Sequence, residues 1–219
     1  MKADLHIHSH FSPDAISRPD SILSAAVERG LDYIAITDHN TAAGWGAFAE
    51  IAHRYPVGVI FGQEMKVYKD ELVAGELLCL FLSQPVTGHT VSEILAQVRA
   101  QNGLVSIAHP FSERRHEFRA YDQIDNWRDL AVEVRNGRSY RAEDNTMAAD
   151  LARRLNSPIT AGSDAHTPFE VGTVYVEFSG RSDHDLLRAI KNRDVQAGGR
   201  PSSMFFTVVS GLGRLGIHI

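Results

Sequence analysis

Cysteine is nearly missing from this chain: Cys79 is the single one among 219 residues. A lone thiol excludes an intramolecular disulfide framework and the small secreted scaffolds built on one, and it fits a reducing compartment. Cys79 lies in the apolar run 77–82 and reads as a buried small hydrophobe. No apolar run reaches the ~18 residues of a membrane span. The opening Met1-Lys2-Ala3-Asp4 passes straight into a strand-like pattern without the apolar stretch of a secretory signal. The expectation is a cytoplasmic protein without membrane contact. Internal repeats, low-complexity tracts and long Pro/Gly/Ser linkers are also missing, which favours one domain over residues 1–200 with an apolar tail, 201–219, docked on it. There is no long basic stripe interleaved with aromatics, and the net charge is −5, so no stable nucleic-acid complex is expected.

What is present is an ordinary globular balance, 43% hydrophobic and 22% charged, with an excess of histidine, eleven residues in all. Short apolar runs alternate with amphipathic stretches, the pattern of a parallel α/β architecture. Strands are expected at 3–8, 33–37, 57–61, 73–82, 104–108, 130–134 and 159–161, with 65–68 pairing with the fourth across the polar turn Lys69-Asp70-Glu71. An edge strand is expected within 172–178. Helices are expected near 19–29, where Pro19 suits the first turn and Gly30 the stop, and near 42–53, 143–155 and 183–192. Thr90 and Glu93 form a capping box for another, which Gly103 ends.

Chemistry tracks the strand ends. The first strand delivers His6 and His8, which share a face because strand side chains alternate, and Asp14 follows in the loop. The second delivers Asp38 and His39, the third Glu64. Glu76 lies early in the fourth. The fifth ends in His109, the sixth in Arg135-Asn136-Gly137-Arg138, the seventh in Asp164-Ala165-His166. Loops at the C-terminal strand ends of barrels and parallel sheets converge on one mouth. Nitrogen and oxygen ligands without thiolate suit zinc, manganese or iron. Asp14, Glu64, Glu76 and Asp164 would repel one another in that mouth, and divalent ions would remove the repulsion and draw in a phosphate.

The strings Asp4-Leu5-His6-Ile7-His8-Ser9, Ile36-Thr37-Asp38-His39, Gly62-Gln63-Glu64, Ala108-His109-Pro110 and Gly162-Ser163-Asp164-Ala165-His166 together resemble the PHP (polymerase and histidinol phosphatase) family, in its short stand-alone form. The resemblance runs over about residues 1–172. It implies a distorted (β/α)7, TIM-like barrel with two to three divalent ions (Zn, Mn or Fe) at the C-terminal strand ends. By the same resemblance, His6, His8, Glu64 and Asp164 would hold the first ion. Glu64 would bridge to a second, also held by His109, and Asp14, His39 and His166 would hold a third. Glu76 stands where many relatives have histidine, and Asp14 where some do; both shift the site toward oxygen ligands.

The implied activity is hydrolysis of a phosphate ester, from a phosphorylated small molecule or nucleotide, by metal-activated hydroxide, releasing inorganic phosphate. Arg138 and Arg114 are the candidates for gripping phosphate, with Arg135, Arg115 and Arg119 competing, and Asn136 is a candidate substrate contact. His166 and Asp38 are the candidates for passing a proton to the leaving group. His10 reads as a neighbour of the ligands; His53, His89, His116, His184 and His218 read as structural or exposed. Two rival readings are an amidohydrolase-type C–N hydrolase, disfavoured because no strand-end lysine offers a carbamylated ligand, and a non-catalytic metal-binding module, disfavoured by the near-complete ligand set.

Overall fold

The computed structural model describes residues 1–112, 117–124, 127 and 130–219, so Arg114 and its competitor Arg115 lie outside the described residues. Ten strands form two sheets. In the first, β1 (Lys2–Ile7), β2 (Tyr33–Ile36) and β3 (Gly58–Phe61) run parallel. β9 (Val174–Phe178) and β10 (Val195–Gly199) extend it antiparallel beyond β1, giving the order β10-β9-β1-β2-β3. In the second, β4 (Gln63–Lys69), β5 (Leu72–Leu80), β6 (Leu104–Ile107), β7 (Leu130–Asn136) and β8 (Ile159–Gly162) follow sequence order. The β4–β5 and β5–β6 pairs are antiparallel; β6, β7 and β8 are parallel.

Together the sheets make a distorted (β/α)7 barrel whose wall is not continuous. At one seam Gly62 separates β3 from β4, and His39 bridges to Glu64. At the other, β8 meets β1 without a ladder; Asp164 N donates to His6 O (2.7 Å) and His8 N to Ala165 O (2.8 Å). Gly162 is required there, since a Cβ would come within 2.5 Å of His6 N.

Alternation explains what each strand faces. On β4, Met65 and Val67 join an apolar cluster with Val91, Ile94 and Val98 of α3 (Val91–Ala100), while Glu64 and Lys66 take the opposite face. On β5, Leu77 and Cys79 join that cluster, and Glu76 alternates with them. On β7, Val132 and Val134 pack with Ala148 and Ala152 of α4 (Ala142–Leu155), turning Glu133 the other way. Pro19 opens α1 (Pro19–Glu28), whose Ile22, Leu23 and Ala26 pack on Ile34 and Ile36 with Phe48 of α2 (Trp45–Ile51). Phe48 is fully buried. Phe48→Ala is expected to cost ~3–5 kcal/mol, read from the midpoint of urea denaturation.

The Thr90–Glu93 capping box forms as expected, and α5 (Asp183–Asn192) starts from a Ser182 cap. One sheet expectation is corrected, and one strand was not foreseen. β9 is an interior strand, not an edge, because β10 covers it. β10 itself, Val195-Gln196-Ala197-Gly198-Gly199, offers too little apolar alternation to be recognised from sequence.

The C-terminal segment crosses the molecule as a strap. Ser202 N donates to Gly137 O (2.8 Å), and α6 (Phe205–Ser210) follows, then a 3-10 stretch, Gly211–Leu215. Gly216, at φ 73°, reverses the chain. Ile219 N then donates to Ile16 O (2.7 Å), and Ile219 O accepts from Arg18 N (2.7 Å).

Candidate metal centre

His6, His8 and Asp164 sit on the two sides of the β1–β8 seam, and Glu64 enters from β4. His6 Nε2 lies 3.0 Å from His8 Nε2, 3.4 Å from Glu64 Oε1 and 3.7 Å from Asp164 Oδ1. His8 Nε2 lies 3.4 Å from Glu64 Oε2 and 3.5 Å from Asp164 Oδ1. Ligands ~2.0–2.1 Å from a tetrahedral ion stand about 3.3 Å apart, so the spacing of these four groups fits a shared cation. Glu64 also reaches His109 Nε2 (3.0 Å from Oε1), which is 3.6 Å from Glu76 Oε2. Its Oε2 is 2.8 Å from His39 Nδ1. His39 and His166 in turn flank Asp14 Oδ1, at 3.5 and 3.6 Å. All nine residues expected as ligands are thus brought together, with Glu64 at the centre.

The donor set fits divalent ions on further observations. The 2.8 Å approach of His39 Nδ1 to Glu64 lacks hydrogen-bond geometry, so Nδ1 and Asp14 Oδ1 are buried polar atoms without a hydrogen-bond partner among the described residues. His109 and Asp164 adopt positive φ, 25° and 55°, a left-handed strain that non-glycine residues hold at functional sites. The charges also demand a cation. Burial opposes protonation of His6 and His39, yet Glu133 and Glu64 beside the first, and Glu64 and Asp14 beside the second, push both up to about 10. Against burial, His6 and His39 hold the Glu64 carboxyl far below its usual range. Burial, with His39 and His166 beside it, keeps His8 neutral.

A buried support lies beneath the ligands. Glu133 Oε1 accepts from His6 Nδ1 (2.9 Å), which leaves the His6 Nε2 lone pair for a metal. Glu133 Oε2 accepts from His109 N (2.8 Å) and from Asn136 Nδ2 (3.0 Å), and Asn136 Nδ2 also donates to Asp164 Oδ2 (3.0 Å). The structure therefore gives Asn136 ligand partners, not a place at the mouth. Sequence reasoning missed Glu133; the signal was a carboxylate between Val132 and Val134 in an apolar strand. Glu133→Gln is expected to lower metal affinity ~10–100-fold, measured by competition with a chelating dye.

Asp38 is likewise occupied. Ser9 N (2.7 Å), Ser9 Oγ (2.7 Å) and Ser12 Oγ (2.7 Å) donate to it. Burial raises its pKa against those hydrogen bonds. Arg138 makes a two-bonded pair with Glu170, Nε to Oε1 at 2.7 Å and Nη2 to Oε2 at 3.0 Å, and Nη2 also holds Ser210 Oγ (3.0 Å). His166 Nδ1 donates to Asp164 O (2.8 Å), leaving Nε2 with its lone pair. Arg119 is exposed, 3.5 Å from Glu117. His10 packs at a tilt against Phe11 and His218, with ring centroids 4.3 and 5.2 Å away.

The candidate ligands open into a cavity of about 560 Å³, which Asp14, His39, Glu64, Glu76, His109 and His166 line. Lys66 and Arg214 also line it. Sequence reasoning missed both: Lys66 was legible, two residues beyond Glu64 on the same strand face, but nothing near Arg214 announced it.

A strand-end nest of imidazoles and carboxylates around one central glutamate defines a hydrolase-type metal site. Comparison with known proteins gives the family. Residues 4–143 match the PHP domain and residues 142–195 the region described as PHP-associated, and the chain belongs to the PHP family. An uncharacterised protein of Methanocaldococcus jannaschii is 33% identical over 123 residues, 51% of this chain and 69% of the relative. A Syntrophotalea carbinolica protein named "probable phosphatase" is 29% identical over 192 residues, 75% of this chain and 80% of the relative. A solved structure from Bifidobacterium adolescentis, put forward as a metal-dependent phosphoesterase, has the same fold, with TM-score 0.62 and 16% identity over 89% of this chain and 96% of that one.

Proposed function

We propose that this chain hydrolyses phosphate esters of a small molecule or nucleotide, with two to three divalent ions (Zn, Mn or Fe) held by His6, His8, Asp14, His39, Glu64, Glu76, His109, Asp164 and His166. The observation that carries the reading is the convergence of these ligands on Glu64 in the lining of one cavity. Bound ions would supply Lewis acidity and a water acidified toward neutrality.

The chain's own groups do the rest. Glu133 and Asn136 fix the orientation of His6, His109 and Asp164. Asp38, through Ser9 and Ser12, holds the loop after β1; Ser12 Oγ accepts from His39 N at 3.1 Å. His166 lines the cavity and is the candidate to protonate the leaving oxygen when its Nε2 holds a proton and no ion. Arg138 lines the cavity too, but its pairing with Glu170 makes it a support for the wall.

Elemental analysis with a panel of monoesters, diesters and amides, before and after chelation, tests the reading. Metal retained by the purified protein and phosphate release that chelation abolishes and added manganese, iron or zinc restores are expected. Metal-loaded protein that releases phosphate from no ester would refute it.

A further inference from the structure

The cavity has two walls that the metal chemistry does not require. One is Lys66, on the face of β4 that carries Glu64. The other is the strap, which contributes Thr207, Ser210, Gly211 and Arg214. The strap is built to stay there. Arg138 Nη2 holds it through Phe206 O (3.4 Å) and Ser210 Oγ, Tyr140 Oη pairs with Thr207 Oγ1 (2.6 Å), and its end is tied to Ile16 and Arg18. Gly213 lies flat on the loop that bears Asp14; a Cβ there would come within 2.6 Å of Ala15 O. Arg214 follows that contact directly.

Lys66 and Arg214 are charged side chains on the wall of a polar cavity, and neither side chain forms an ion pair or hydrogen bond among the described residues. The cavity volume suits a small molecule. Lys66 is half-buried and Arg214 exposed, so both cationic ends are free to donate a charged hydrogen bond to an anion in the cavity.

We propose that Lys66 and Arg214 form an anion subsite, separate from the metal ligands, for a second negatively charged group on a small phosphorylated substrate, with the strap as the specificity wall. The subsite rests on the phosphoesterase reading for the first phosphate, and it takes a carboxylate or a second phosphate.

Matched pairs that differ in this one group test it on the full, manganese-loaded chain. Glycerol 2-phosphate and 2-phosphoglycerate differ by a carboxylate; fructose 6-phosphate and fructose 1,6-bisphosphate differ by a phosphate. The wild type is expected to favour the doubly anionic member in kcat/KM by ~10-fold or more, the scale of one charged hydrogen bond. Arg214→Ala and Lys66→Ala, made separately so that a folding failure in one leaves the other, should collapse that ratio toward unity. Whichever pair keeps the preference identifies the anion. Calorimetric titration of the phosphonate analogues of the same pairs, which cannot be hydrolysed, reads the affinity ratio without turnover. No preference in the wild type by calorimetry, or a ratio unmoved in both variants, overturns the subsite. Absence of phosphate release from every ester overturns the phosphoesterase reading instead, and calorimetry still decides the subsite.

Discussion

Glu64→Gln should strip the protein of bound metal and lower phosphate release at least ~10³-fold, about 4 kcal/mol of barrier. The side chain is buried, and its two oxygens reach His6, His109, His8 and His39 at distances of 2.8–3.4 Å. A carboxamide keeps the volume but replaces one acceptor with a donor and removes the charge that the surrounding imidazoles or ions answer. The loss should therefore spread over more than one ion, since Glu64 adjoins four histidines of the site. Elemental analysis and steady-state kinetics on one preparation check it. A variant with full metal content and an unaltered rate would remove Glu64 from the centre of the site.

The second large effect is on stability. Glu170→Ala leaves the buried Arg138 guanidinium without its partner, and breaking such a pair costs ~3–5 kcal/mol, a Tm decrease of roughly 10 °C for a chain of this size. Glu170 also accepts from His166 N (3.1 Å) and Thr167 N (3.0 Å), so the loop after Asp164 loosens with it. The pH dependence has a defined sign. Burial raises the Glu170 pKa, but Arg138 prevails and holds it below the ordinary value of 4.5. A depressed carboxyl contributes stability above its unfolded pKa and loses it as pH falls through the lower folded value. The wild type should lose this contribution on acidification below about 4.5, the ordinary value, while Glu170→Gln lacks that step. Thermal denaturation across pH 3–7 separates the two; parallel curves would show the pair to be inert.

Several candidate ligands were legible as polar residues where an apolar run stops: His6 and His8 at the end of β1, Asp164 and His166 after β8. The β4–β5 hairpin was legible from its polar turn, and α3 from its Thr90–Glu93 capping box. Less visible was whatever depends on a partner distant in sequence. Arg138 looked like a phosphate grip until Glu170, whose carboxylate sits 2.7 Å away, was located by the fold. Asn136 looked like a turn residue or a substrate contact, yet Glu133 and Asp164 claim its amide. Arg214 belongs to the site only because the strap returns to the Asp14 loop, a path that no local pattern specifies.

The open seam between β8 and β1 has a kinetic meaning. Its two sides are nearly the full barrel apart in the chain, and the groups that face each other across it are His6 and His8 on one side and Asp164 on the other. An ion seated between them would act as a clasp, reinforcing by coordination a seam that the backbone closes with an isolated bridge and no ladder. Such a clasp cannot assemble until the residues near 164 have been synthesised and brought back to the first strand, which makes it a contact of high sequence separation and slow closure. Metal loading would then be a late folding event, and an ion-free chain should exchange the His8 and Asp164 amide hydrogens, which pair across this seam, faster than a loaded one.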